Sequence, residues 1–352
     1  IVKFGAFLLL HSPDKKSSAE VYANAIAQAE LADALGFDAV WLAEHHFSSY
    51  GYSPNPLYLA VKIAERTKKV RIGTAVVVLP LHHPLRLAED IAMVDQLTGG
   101  RLEVGFGRGY QDYEFQRLGI PLDENRALFD EGIDIIVKAL TQETFSHQGQ
   151  YHQIPETTIF PRPVQQPHPQ FWVAAQSPPS IVATVNRGFK CITGGSSAPS
   201  GEVQNNWEVF RSAVEESGQG WPQEFAVQKQ VFVSEDEDTA RGHVRNALWH
   251  YRMVRALRGN TQKVKDGLAL EIPLADEPTS ENIYDNWLLF GDPNTCAEKI
   301  QQLVDTTGIT YLNCVFAIGR MKHEEITRSM ELFAKEVMPR FKNKFGIQSL
   351  VT

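Results

Sequence analysis

From Lys3 to Phe316 short apolar runs of strand length alternate with longer amphipathic segments, and most connections are short. Such alternation is how β-α-β units read in a sequence, and successive units lay parallel strands into one sheet covered by helices. Strands are expected at Lys3 to Leu10, Ala39 to Ala43, Val70 to Leu79, Leu102 to Phe106, Phe171 to Ala175, Lys190 to Thr193, Phe225 to Val233 and Tyr311 to Phe316. Ser17 and Glu20 suit the start of a first helix that Gly36 stops, and Pro56 to Arg66, Pro84 to Leu97 and Asp123 to Leu140 read as further helices. Near the end, Ile326, Met330, Phe333 and Val337 trace the inner stripe of a closing helix. Eight strands, each followed by a helix, predict an α/β fold of the (β/α)8 TIM-barrel type, in one domain over 1–352 with excursions at about 141–169 and 259–280. An open doubly wound sheet needs a glycine-rich turn after its first strand, and Leu9 to Asp14 contains no glycine.

A chain of 352 residues, 43% hydrophobic and 22% charged, is long enough to fill such a barrel. The net charge of −8, with no basic block, argues against nucleic acid or an anionic membrane as partner and leaves a small molecule as the expected one. Cys191, Cys296 and Cys314 are odd in number and form no C-x-x-C, so neither a disulfide framework nor a zinc site is expected, which fits a reducing cytoplasm. The apolar start, Phe4 to Leu10, is too short to span a bilayer and lacks a basic leader.

Chemistry is expected where parallel strands end, at the rim they share. The second strand empties into Glu44, His45 and His46, three consecutive ionisable residues. The fourth leads into a glycine-rich turn from Gly105 to Tyr110 that carries Arg108, where a guanidinium and backbone N–H groups suit a phosphate; pairing with a nearby carboxylate is the alternative. Gln176, Ser177 and Ser180 open a helix behind two prolines, which reads as a serine cap whose free N–H groups suit an anion, or as capping alone. Gly194 to Ser197 and Thr74 to Val76 complete the rim. Adjacent pairs such as His45-His46 and His82-His83 diverge on extended chain, and no H-x-H or H-E-x-x-H occurs, so no catalytic metal is expected. No G-x-S-x-G nucleophile elbow occurs either.

The chain resembles the bacterial luciferase family of flavin-dependent monooxygenases, the luciferase α subunits in particular. The resemblance rests on Lys3-Phe4-Gly5, Val40-Trp41-Leu42 with Glu44-His45-His46-Phe47, Gly73-Thr74-Ala75, His83-Pro84, Asp95-Gln96, Gly100-Arg101, Arg108-Gly109, Arg126-Ala127-Leu128 and Val337-Met338-Pro339. It implies a TIM barrel that takes reduced FMN (FMNH2) from a separate reductase and reacts with O2 through a flavin C4a-peroxide to oxidise a hydrophobic substrate such as an aldehyde, ketone or terpenoid. Carried over by position, His45 is the implied catalytic residue, and Arg108, Arg126, Ser177 and Ser180, with Gln176 in place of a glutamate, are the implied phosphate ligands. Ala75 and Val76 match a pair joined by a non-proline cis peptide under the flavin ring, and Tyr110 matches a position that touches it. A homodimer through helices 56–66 and 84–97 is implied too, with Leu57, Leu59, Ile63, Leu87, Ile91 and Val94 as its apolar residues.

The same superfamily includes enzymes that use the deazaflavin F420, and the luciferases carry a β subunit of the same fold that lacks the paired histidine and the arginine turn. Those are the alternative readings. Gly107 stands where luciferase α subunits have a reactive cysteine, and Gly259 to Pro278 replaces a longer lid. Both departures imply a less filled and less closed space beside the flavin, hence weak light or none.

Overall fold

The structure, a computed structural model, describes residues 1–194, 199–218, 220 and 224–342. Eight parallel strands close on themselves: β1 (Lys3–Leu8), β2 (Ala39–Leu42), β3 (Arg71–Val78), β4 (Leu102–Gly107), β5 (Gln170–Ala174), β6 (Lys190–Thr193), β7 (Phe225–Val233) and β8 (Tyr311–Val315). The order around the sheet is β7-β8-β1-β2-β3-β4-β5-β6, and β6 pairs back onto β7 through Cys191↔Phe225 and Thr193↔Val227. This is the (β/α)8 barrel that the alternation predicts, built from the same eight runs. A ninth short strand, Leu289–Gly291, pairs with the end of β7 and was not anticipated, because three residues carry no readable period.

Paired positions of a parallel ladder point to the same face, so the register fixes what fills the barrel. Phe7 pairs with Trp41, Trp41 with Gly73, and Gly105 with Trp172, which turns Trp41, Trp172 and Tyr311 inward. Their rings pack edge to face with centroids 5.3, 6.0 and 5.6 Å apart. Trp41 Nε1 donates to the Tyr311 hydroxyl at 3.0 Å, and Trp172 Nε1 donates to Glu103 Oε2 at 2.6 Å. A Cβ at Gly73 would come within 2.3 Å of the Trp41 ring, so only glycine leaves room for this plug. Truncating either tryptophan is expected to cost about 3–5 kcal/mol. Below it, Lys3 and Lys190 both grip Glu224 and close the amino-terminal end. What remains open is the mouth at the carboxyl-terminal strand ends.

Helix caps follow the sequence where it is explicit. Ser17 accepts from Glu20 N at 3.2 Å, and Gly36 ends that helix at φ +80°. The expected dimer stripe is corrected: Leu57, Leu59, Ile63, Leu87, Ile91 and Val94 are all buried against their own barrel. A surface helix turns its most apolar stripe to its own core first, and the outward faces keep Tyr58, Met93 and Leu97 instead.

Both excursions contain hairpins. In the first, Phe145–Gln148 pairs with Gln153–Thr157, and Glu131 accepts backbone N–H groups of Gln150, Tyr151 and His152 at its tip. In the second, Val264–Lys265 pairs with Leu268–Ala269 and lies over the loop that follows β2: Gly267 O accepts from Ser49 N at 2.7 Å and Ala269 N donates to Ser49 Oγ at 3.1 Å. Arg252 anchors this excursion through Glu271 and Glu277, each at 2.7 Å. Among the described residues no helix is long and apolar enough to cross a membrane.

Candidate active site

β2 delivers Glu44, His45 and His46 to the mouth, and each finds a different partner. Glu44 is fully buried; its Oε1 accepts from His46 Nε2 at 2.9 Å and His82 Nε2 at 2.8 Å, and its Oε2 accepts Val78 N–H at 2.8 Å. One carboxylate thereby ties the turn after β3 to the turn after β2. Burial pushes the Glu44 carboxyl up, but the hydrogen bonds from His46, His82 and Val78 outweigh it and hold it below the usual range. Burial lowers His46, yet its bond to Glu44 and the nearby Glu114 carboxylate leave it raised. The two histidines diverge as extended chain requires.

His45 points the other way. Gln111 Nε2 donates to its Nδ1 at 2.8 Å, and Glu114 Oε1 stands 3.3 Å from the same nitrogen. Its ring meets Tyr50 edge-on with centroids 4.8 Å apart, and a Cβ built on Gly51 would lie 2.5 Å from the His45 Cβ. Glu114 also accepts the His46 backbone N–H at 2.8 Å. Sequence reasoning missed Gln111 and Glu114 because their helix, Asp112–Leu118, has only seven residues; the signal available was Asp112 and Glu114 in a first turn with Gly119 as the stop.

Behind Tyr50 stand two further imidazoles. His11, just past β1, stacks on Trp249 with centroids 5.1 Å apart, and His250 packs beside Tyr50 at 6.3 Å. Burial pushes His11 down to about 4, against a small opposing bond to Gly319 O, and pushes His250 down to about 3. Burial also raises the Tyr50 hydroxyl well above its ordinary value. This wall is aromatic and uncharged at neutral pH.

The anion-friendly residues collect after β4 and β5. Neither Arg108 nor Arg126 is paired with another protein group among the described residues, so the alternative of a carboxylate partner for Arg108 is not what the structure places there. Asn125 Nδ2 donates to Gly109 O at 2.9 Å and holds the start of helix Asn125–Thr141, with Arg126, against the Arg108 turn. The expected serine cap is corrected. Ser177 occupies the cap position of helix Pro178–Asn186, but its hydroxyl bonds the Ser180 hydroxyl at 2.9 Å. Pro178 and Pro179 have no N–H, and Ser180 N and Ile181 N both donate to Ser177 O at 3.0 Å, so the site offers two hydroxyls rather than free backbone N–H groups. Arg258, which sequence reasoning also missed, donates to Gln176 Oε1 at 2.9 Å and lies 5.3 Å from the Tyr110 ring, spanning the two strand ends.

Between these groups lies the shelf of β3. The Ala75-Val76 peptide is cis, as expected for that pair. The space beside Gly107 is corrected: a Cβ there would meet Val76 Cγ2 at 2.3 Å, so the isopropyl group of Val76 already fills it. Gly195 to Ser197, expected at the rim, lie outside the described residues. Two guanidinium groups unpaired among the described residues, two hydroxyls and an apolar shelf fit a phosphorylated aromatic ligand.

Comparison with known proteins places the chain in a family. Residues 2–310 match the family described as luciferase-like monooxygenase. The chain is 30% identical to the oxygenase component of the flavin-dependent trigonelline monooxygenase of Acinetobacter baylyi, over 93% of this chain and 92% of that protein. It is 28% identical to the alkanal monooxygenase alpha chain of the Kryptophanaron alfredi symbiont, over 97% of this chain and 99% of that one. The oxygenating constituent of 3,6-diketocamphane monooxygenase from Pseudomonas putida, a type II Baeyer-Villiger monooxygenase solved in complex with FMN, superposes with a TM-score of 0.80 at 25% identity, covering 96% of this chain and 98% of that one. The barrel, the rim and these matches over nearly its full length make the chain an oxidoreductase that belongs to the luciferase-like monooxygenase family.

Proposed function

We propose that the chain is the oxygenase component of a two-component system, taking FMNH2 from a separate reductase and using O2 to oxidise a small hydrophobic substrate such as an aldehyde, ketone or terpenoid. The observation that carries this reading is the pair Arg108 and Arg126, two guanidinium groups at the mouth of a chain of net charge −8 that have no acidic partner among the described residues. An unpaired cation pair in an acidic protein suits a dianionic phosphate. Bound reduced flavin supplies the two electrons with which one oxygen atom of O2 enters the substrate and the other leaves as water.

The chain's own residues do the rest. Arg108, Arg126, Ser177, Ser180 and Gln176 hold the phosphate, and Ala75, Val76 and Tyr110 contact the ring. His45 is the catalytic residue: with Gln111 donating to Nδ1, its proton sits on Nε2 and is available to the reacting oxygen, and Glu114 stabilises the ring when it takes a second proton. Tyr50, His11, Trp249 and the hairpin over Ser49 keep water from that atom. The oxygenase acts in the cytoplasm, the whole chain forming one catalytic domain. The homodimer is proposed through the outward faces of helices 56–66 and 84–97, on the exposed Tyr58, Met93 and Leu97; Met93→Glu is expected to yield a monomer in light scattering.

Anaerobic titration tests the cofactor: FMNH2 should bind tightly, oxidised FMN weakly and F420H2 weakly. Equal affinity for both redox states of FMN, or a preference for F420H2, counts against the scheme.

A further inference from the structure

β7 and β8 carry two side chains that nothing above uses. Asn313 and Gln230 are fully buried, and both polar atoms of each carboxamide lack a hydrogen-bond partner among the described residues. The register places them on one face: Tyr311 pairs with Ala226, Asn313 with Gln228 and Val315 with Gln230. Since Tyr311 points into the barrel onto Trp41, positions 313, 228, 315 and 230 point inward as well, with Gln230 one pleat repeat nearer the mouth than the partner of Asn313. A Cβ built on Gly5 would lie 3.0 Å from Asn313 Oδ1 and 2.7 Å from the Trp41 ring, which puts the Asn313 carboxamide directly above the aromatic plug. The plug cannot satisfy it, because its two indole N–H groups already donate to Tyr311 and Glu103.

Two buried carboxamides without partners are costly to keep unless something in the working protein completes them. Each presents both a donor and an acceptor. Among the described residues no cation reaches the pair: Lys229 lies on the outer face of β7 with its amine 3.4 Å from Trp287 O, and Lys3 and Lys190 are committed to Glu224 at the other end of the barrel. The residues proposed for the cofactor follow β3, β4 and β5, whereas β7 and β8 form the opposite arc, next to β1 and β2 with His11 and His45. That arc lies across the mouth from the residues proposed for the cofactor.

We infer that Asn313 and Gln230 form a hydrogen-bonding seat for the substrate, and that they select a neutral group that both donates and accepts, of the lactam or secondary-amide class. A ketone offers no donor, a carboxylate brings a charge that no cation meets, and a hydrocarbon leaves all four atoms unpaired. This rests on the proposed placing of the cofactor on the β3–β5 side, and it narrows the proposed carbonyl substrates to those that also carry an N–H, in place of a simple aldehyde or ketone.

Calorimetric titration of the full chain with δ-valerolactam, cyclohexanone and cyclohexanecarboxylate, three rings of similar size, tests it. The lactam should bind about tenfold more tightly than the ketone, with the carboxylate weakest. Asn313→Leu and Gln230→Met, close in volume, should bring lactam and ketone to within about twofold, leave the thermal midpoint unchanged or higher, and leave FMNH2 affinity intact. Equal binding of lactam and ketone by the unaltered protein overturns the inference, whatever the variants do, so a variant that fails to fold leaves the decision standing. Loss of FMNH2 affinity in either folded variant assigns the pair to the cofactor and overturns it too. Should the unaltered protein fail to bind FMNH2, the proposed function fails, while the lactam preference of the flavin-free chain is still read on its own.

Discussion

Glu114 Oε1 accepts the backbone N–H of His46 at 2.8 Å and stands 3.3 Å from Nδ1 of His45, so one buried carboxylate shapes the turn after β2 and faces the imidazole that the turn presents. Gln111 shares that nitrogen at 2.8 Å and is able to turn either its N–H2 or its oxygen to it, which lets the ring hold one proton or two. Glu114→Gln keeps an acceptor for His46 N–H and removes the charge. Turnover should fall about tenfold while FMNH2 affinity holds, because the charge that faces the His45 imidazole is gone. Unchanged turnover would separate Glu114 from the chemistry.

His45→Ala should retain FMNH2 binding and lose turnover by about 10²- to 10⁴-fold, the usual worth of a positioned acid or base. The measurement is product formation beside an anaerobic flavin titration. A fully active variant moves the role elsewhere, with His46 next in line.

Arg108→Ala and Arg126→Ala should each weaken FMNH2 binding about 10- to 150-fold, because a charge-assisted contact contributes about 1.5–3 kcal/mol. Riboflavin, lacking the phosphate, serves as control. A parallel loss of riboflavin affinity would make the arginines structural.

Gly107→Ala should destabilise the fold by about 1–3 kcal/mol, as overpacking does, because its new methyl meets Val76 Cγ2 at 2.3 Å. Adding Val76→Ala should restore much of the loss in thermal melts. Non-additivity of that pair is the readout, and simple additivity refutes the contact. The isopropyl group of Val76, not an empty space, stands beside position 107.

Acid should unfold this protein early. His250 is held at about 3 and His11 at about 4 in the folded chain, whereas both take a proton near 6.5 once exposed. A depressed folded value means that protons favour the unfolded state, so the stability is complete above about pH 6.5 and is lost as the pH falls toward the folded values, by about 1.4 kcal/mol per pH unit for each ring. Urea unfolding between about pH 6.5 and about pH 4 should show this slope, and His250→Phe should make it shallower. The same slope in that variant would place the acid sensitivity elsewhere.

The sequence by itself determined the barrel. All eight closing strands are legible, because an apolar run of four to nine residues between turn residues is a local signal, as are Ser17 and Gly36 at the ends of the first helix. It also determined that His45, Arg108, Tyr110, Gln176 and Ser177 fall just past strand ends, which a parallel barrel gathers on one side, whereas Ala75 and Val76 lie inside β3 (Arg71–Val78).

Tertiary structure alone decided partners and faces. Glu44 reaches His82 across 38 residues, Glu114 reaches His45 across 69, and Arg258 reaches Gln176 across 82, separations over which sequence periodicity carries no information. The stripe Leu57 to Val94, which the resemblance implies to be an interface, proves to be core, because apolar surface of either fate has the same pattern until packing assigns it. Ser177 reads as a cap, yet with two prolines following and Ser180 within 2.9 Å its hydroxyl has a better partner than the backbone. Periodicity reports which side of an element is apolar; which atoms meet there depends on strand register and on loops whose contacts are long-range, and only the folded chain fixes both.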